Sequence, residues 1–229
     1  MKLVSSILLC FSFLFWACQN EPVKEKIEKP KKVSFPSYEI DLEKKEIRMK
    51  SKVCLSGGLL EYLVCLPNSF EHEAIFVTSA KPELLHTSLL LIGRNPKQLY
   101  RLGDLWWQTI PKFPDCRINV HVEWKEKGKF KRVALNELLL RRKKVESDEE
   151  ADKLAENYWV FNGSFFFEKK YIANIDKTVV AITPQSSSVV QYGILTFDPY
   201  TGDNFGFEVN KKLCPPYGTV VDIVFSVYE

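Results

Sequence analysis

Glu61, His72 and His86 form the densest grouping of chemically capable side chains in the chain. Leu59 to Leu66 reads as one alternating strand, which puts Glu61 on the same face as Leu59, Leu63 and Cys65. A carboxylate on an apolar face is costly unless it is paired or hydrogen-bonded. His72 opens the next strand with Glu73 on the opposite face, and His86 falls one turn into a helix among leucines. If the strands are neighbours and the helix packs over them, the three side chains converge. Two imidazoles and a carboxylate can bind zinc or another divalent cation, or exchange protons with a ligand. The plainer expectation is that each serves the fold: one histidine bonds a loop, the other seats the helix, and Glu61 takes a backbone or lysine partner. His72–Glu73 does not begin an H-E-x-x-H motif, because position 76 is Phe76, so protease chemistry has no support.

The cysteines come next. Cys54, Cys65, Cys116 and Cys214 lie in the body of the chain, and export would permit them to form disulfides. Four cysteines allow three pairings. A two-residue turn at Gly57–Gly58 would place Cys54 opposite Glu61 and Cys65 opposite Lys50. A Cys54–Cys65 bond then requires another register or a bulge. Cys116–Cys214 would join distant segments, and buried free thiols are the bland alternative. No cysteine has an obvious activating neighbour, so a catalytic thiol is unsupported. The spacings of 10, 50 and 97 intervening residues, with no C-x-x-C, do not support an iron–sulfur cluster. No cofactor is required by the residues, although a divalent metal at Glu61, His72 and His86 stays open.

Two further groups stand out. Trp106–Trp107 lies in a Pro- and Gly-flanked stretch, where one ring is expected in the core and the other half-exposed as a contact for a partner or glycan. Ser164 sits in Asn162–Gly163–Ser164. It lacks the G-x-S-x-G elbow of a nucleophile, and a tight turn between aromatic strands is the expected role.

The elements that must position these residues read as mostly β. Tyr38–Leu42 and Glu46–Met49 alternate around Lys44–Lys45. His72–Thr78 is another strand, and Arg117–Trp124 alternates strongly before a turn at Lys127–Gly128–Lys129 and a return over Phe130–Leu135. Pro82 to Ile92 is the clearest helix, begun by Pro82 and stopped by Gly93. Asn136 to Asn157 reads as a charged helical stretch with a break near Ser147–Asp148, its charges being a solvated face. From Tyr158 onward β-branched and aromatic residues dominate. The fold class expected is mainly β, a β-rich α+β domain: a sandwich or partly open barrel with one or two short helices.

The N-terminus carries an address. Met1–Lys2 is followed by an uncharged apolar run from Leu3 to Trp16, too short for a membrane-spanning helix and right for a signal-peptide core. Ala17–Cys18 then resembles the bacterial lipobox, in which the cysteine is acylated and becomes the new N-terminus. Phe15 and Trp16 depart from the pattern, which prefers Leu and a small residue there. The expected organisation is a signal peptide over 1–17, a lipidated Cys18 with a flexible lysine- and proline-rich tether over 18–36, and a single domain over 37–229. The tether is expected to stay solvated and to hold the domain off a membrane. With 32 basic and 29 acidic residues among 229 and a formal charge of +3, there is no electrostatic case for nucleic-acid binding.

Several stretches together resemble the YdjY domain family of exported bacterial proteins: Gly58–Cys65, His72–Glu73–Ala74, Pro82 through His86 to Leu89–Gly93, Val122–Glu123–Trp124 and Trp159–Ser164. The resemblance runs from about Lys45 to the C-terminus. It implies an exported β-rich domain and no particular activity. The reading these features support together is a membrane-tethered lipoprotein of the cell envelope, on the periplasmic or outer-surface side. It would be a non-catalytic module binding an envelope protein or ligand. The alternative is an envelope protein with a metal or acid–base site at His72, His86 and Glu61.

Overall fold

The computed structural model describes residues 31–98, 114–141, 159–193 and 206–228. Three strands come first: β1 (Lys32–Phe35), β2 (Tyr38–Asp41) and β3 (Glu46–Val53). Next, β4 (Leu59–Leu60), β5 (Tyr62–Cys65) and β6 (Ala74–Val77) lead to helix α1 (Pro82–Leu91). The long β7 (Arg117–Glu126) and β8 (Lys129–Ala134) make a hairpin. A 3-10 turn, Leu135–Leu138, then enters β9 (Leu139–Arg141). The remainder is β10 (Trp159–Phe161), β11 (Phe166–Phe167), β12 (Lys170–Tyr171), a one-turn helix α2 (Ile172–Ile175), β13 (Thr178–Ala181), β14 (Val190–Tyr192), β15 (Phe207–Val209) and β16 (Val220–Val227).

Eight of these strands close a barrel. Pairing runs β3–β16–β7–β10–β14–β13–β5–β6 and returns from β6 to β3. The closing seam is short: Lys52 pairs with Val77 and Val53 with Phe76. β2 and β1 extend outward from β3, and β8 hangs from β7. Among the described residues the chain is mainly β with two short helices, and of the two architectures expected it adopts the barrel, fully closed.

The β3–β16–β7 wall follows simple alternation. Ile47, Met49 and Val53 of β3, Val221, Ile223 and Phe225 of β16, and Val120, Val122 and Trp124 of β7 fill the interior. Register stacks them in rows, Met49–Ile223–Val122 and Ile47–Phe225–Val120. The intervening positions put Arg48, Lys50, Asp222, His121 and Glu123 on the outer face. Lys127 and Gly128, both at positive φ, make the β7–β8 turn whose primed geometry matches the strand twist.

The opposite wall is built differently. β5, β10, β13 and β14 are buried at every position, so they are covered on both faces. Two of their pairings, β5 with β6 and β13 with β14, are parallel. α1 packs over this region. Pro82 begins it, and Gly93 at positive φ ends it with the double bond Gly93 N–H to Leu90 and Arg94 N–H to Leu89, a Schellman stop.

Four expectations change. Lys32–Phe35, read as the end of the tether, is an edge strand paired with β2, so the ordered part begins before Pro36. Leu59–Leu66 is not one strand: it breaks at Glu61, and β4 leaves to pair with β15 in a separate three-stranded sheet with β9. Gly57–Gly58 does not turn β3 back onto β5, because β6 lies between them. Residues 135–141 form a 3-10 turn and a strand where a charged helix was expected, and 142–158 lie outside the described residues.

Candidate functional site

His86 sits on the α1 face turned toward the end of β10. Its Nδ1 lies 2.9 Å from the carbonyl of Gly163 and 2.9 Å from the Tyr171 hydroxyl. Tyr171 donates to the same carbonyl at 2.9 Å. A carbonyl only accepts, so Nδ1 carries the proton and Nε2 is the basic atom. Phe161 and Tyr171 pack edge-on to the imidazole. Burial holds the His86 pKa below the ordinary histidine value, opposed by the Gly163 bond.

Gly163 needs its identity. It has φ +84, and a Cβ there would collide with the Pro96 ring. Asn162 beside it is fully buried, and its Nδ2 donates to the carbonyls of Gln185, Ser186 and Ser188. Ser164 is fully buried too, with Oγ accepting from the Ala173 N–H at 3.1 Å. Asn162–Gly163–Ser164 is not a tight turn between paired strands, since β10 pairs with β7 and β14 while β11 pairs with β12; it is a connection that binds α1, α2 and the 183–189 loop together.

The other two residues of the predicted triad lie against different neighbours. His72 is largely exposed, with Nε2 3.7 Å from Glu73 Oε1. Glu61 stands at the break between β4 and β5, where its carbonyl accepts from Ile182 and Thr183 N–H. Among the described residues, no group of three or more His, Cys, Asp or Glu side chains is placed to hold a metal ion. Cys54, Cys65, Cys116 and Cys214 are free thiols. Burial pushes the Cys116 and Cys214 thiols up to about 11, Asp115 adding to the effect at Cys116, so neither is an activated thiolate. Cys18, Trp106 and Trp107 lie outside the described residues.

The outer face of the β3–β16–β7 wall holds a second, unforeseen assembly. Glu123 is 2% exposed and accepts from both Arg48 and Arg132, the latter at 2.8 Å. Glu46 pairs with Arg48 at 2.9 Å. His121 lies beside them. Its Nδ1 is buried without a hydrogen-bond partner among the described residues, and burial and Arg132 hold its pKa low.

Next to this network, at the ends of β7, β8 and β16, a groove of about 380 Å³ opens. Trp124 lines it, and its buried Nε1 has no hydrogen-bond partner among the described residues. Phe130 and Val220, 62% and 66% exposed, give it apolar surface. Lys50 and Asp222, paired at 2.7 Å, give it charge. The volume falls in the range of small-ligand clefts, which combine apolar lining with a few polar groups. Neither spacing nor motif marks these residues in the sequence. The lining comes from β3, β7, β8 and β16, and only register brings it together.

The YdjY domain family model matches residues 38–226. The chain belongs to the YdjY domain family. The match begins at the first residue of β2 and ends within β16, so the YdjY domain here takes in the whole barrel, α1 and α2. No curated protein and no solved structure matches it.

Proposed function

We propose that this YdjY domain is the exported part of a membrane-tethered lipoprotein, and that it binds an envelope partner or ligand rather than turning over a substrate. The groove beside Lys50, Trp124 and Val220 carries the binding half of this reading. It offers a charge pair and exposed apolar surface on a rigid wall. His86 Nδ1 and Ser164 Oγ are committed to holding α1 and α2. The Cys18 lipobox and the short apolar segment before it support the tether. Among the described residues, no helix is long and apolar enough to cross a membrane.

Two measurements test the two halves. Cys18→Ser should abolish lipid labelling and move the protein to the soluble fraction; a variant that stays membrane-bound makes the apolar segment itself the anchor. A photo-crosslinking side chain placed at position 220 in the intact protein should give a discrete adduct in cells that weakens when Phe130→Ser is added. No adduct at 220 from folded protein sinks the groove as the binding surface.

A further inference from the structure

The β11–β12 hairpin is too small to bury its own side chains. It pairs Phe166 with Tyr171 and Phe167 with Lys170 around a turn at Glu168–Lys169, whose two residues have positive φ. Tyr171 anchors its base, the hydroxyl lying 2.9 Å from His86 Nδ1. Beyond that anchor Phe166 and Phe167 are 69% and 61% exposed. Ile175 of α2, also exposed, adjoins Asn174, which bonds Glu83 of α1. Leu90, exposed as well, follows Glu83 by seven residues and so shares its α1 face. Lys169 and Lys170 are exposed beside these apolar groups and outnumber Glu168.

The route of the chain into the barrel bears on what covers this surface. By register Lys32, the first residue of β1, stands in one row with Asp41, Glu46, Ser226 and Asn119. That row lies at the end of the β3–β16–β7 wall where Val160 of β10 pairs with Arg117, and β10 leaves there toward the hairpin. The groove opens at the opposite end, where Phe130 pairs with Lys125. Residues 19–31, between Cys18 and β1, reach at most about 45 Å when fully extended. A lipid on Cys18 would therefore keep this end of the barrel close to a bilayer.

We propose that the β11–β12 hairpin, with Ile175 and Leu90, docks on the surface of the bilayer that holds the tether. Phe166 and Phe167 enter the boundary between headgroups and acyl chains, and Lys169 and Lys170 meet anionic headgroups. The inference rests on the tethered-lipoprotein reading above, because the tether supplies the local concentration that so small an apolar surface needs. Docked this way, the barrel turns the groove of Lys50, Trp124 and Val220 away from the bilayer, open to an envelope partner.

The test uses the lipoprotein purified from membranes and reconstituted in vesicles of phosphatidylethanolamine and phosphatidylglycerol. A benzophenone side chain at position 167 should, on illumination, add the mass of one phospholipid. The same side chain at position 130 should give at least about tenfold less lipid adduct, because an interfacial group sits only about 5–10 Å into the bilayer. Both positions are exposed, and an unchanged Tm shows that each variant is folded. Folded protein with no lipid adduct at 167, or with equal labelling at 167 and 130, overturns the inference. So does a discrete protein adduct at 167 in cells without a lipid adduct, which would make the hairpin a protein contact. Protein that carries no lipid on Cys18 defeats the tether reading instead. The same comparison of 167 with 130, made on the unlipidated chain with vesicles at millimolar lipid, then decides the hairpin alone.

Discussion

The barrel's two walls solve the same burial problem in opposite ways. The β3–β16–β7 wall is long and antiparallel, and its strands largely alternate between core and surface, Glu123 and Val224 being the buried exceptions on the outer face. The β10–β14–β13–β5–β6 wall is made of short strands, two of its pairings are parallel, and most of its positions are buried on both faces. Parallel neighbours are normally joined by a crossover of a dozen or more residues. Here residues 66–73 and 182–189 return the chain in about eight. Side chains hold these tight returns. Glu71 accepts from Asn68 and Ser69 N–H in the first. In the second, Asn162 and Gln191 bond successive carbonyls and the Gln185 N–H. A wall that faces water can be patterned by hydrophobicity alone. A wall covered on both faces must satisfy its loops with specific buried polar groups.

If that contrast is right, the doubly covered wall should be the less forgiving. Phe161→Ala, in a fully buried strand beside His86, should cost about 3–5 kcal/mol in denaturant unfolding. A loss below about 1 kcal/mol would mean that α1 does not close tightly over β10. On the outer face of the other wall the largest single loss should come from Glu123→Ala, which leaves Arg48 and Arg132 facing each other. Both arginines are partly solvated, so about 1–3 kcal/mol is expected, and Glu123→Gln should recover part of it.

Acidification gives a smaller effect that touches both walls. Burial holds His86 and His121 below the ordinary pKa, so between pH 7.5 and 5.5 the unfolded chain takes up more protons than the folded one. Stability is therefore full above about pH 6.5 and falls below it. Tm should drop from pH 7.5 to 5.5, and His86→Asn should shrink that drop if α1 is the sensitive element. The smallest effect belongs to Lys50→Ala. Its pair with Asp222 lies on an exposed lysine, and the change should stay within about 1 kcal/mol. A larger loss would mean that the groove wall depends on this pair.

Legibility in the sequence follows the same division. Arg117–Trp124 announces β7 by alternation, Lys127–Gly128 announces the turn, and Pro82 with Gly93 brackets α1, because each signal is local. Leu59–Leu66 misleads for the opposite reason. Its apolar run cannot show that Glu61 interrupts it, since the break is set by Glu73, Ile182 and Thr183, which bond the Glu61 backbone from distant parts of the chain. The expected convergence of Glu61, His72 and His86 depended on neighbouring strands with the helix packed over them. His86 instead finds Gly163 and Tyr171, which lie 77 and 85 positions away.

The sequence by itself determined a β-rich chain, the positions of its hairpin turn and helix, a balanced charge and the family to which it belongs. These follow from side-chain periodicity and from backbone preferences of glycine and proline, which act over a few residues. Only the tertiary structure decided that β6 inserts between β3 and β5 and that the barrel closes. It also decided that Lys50, Trp124, Phe130 and Val220 share one groove. Those outcomes depend on which strands pair, and pairing is chosen by burial summed over the whole core rather than by any neighbouring residues.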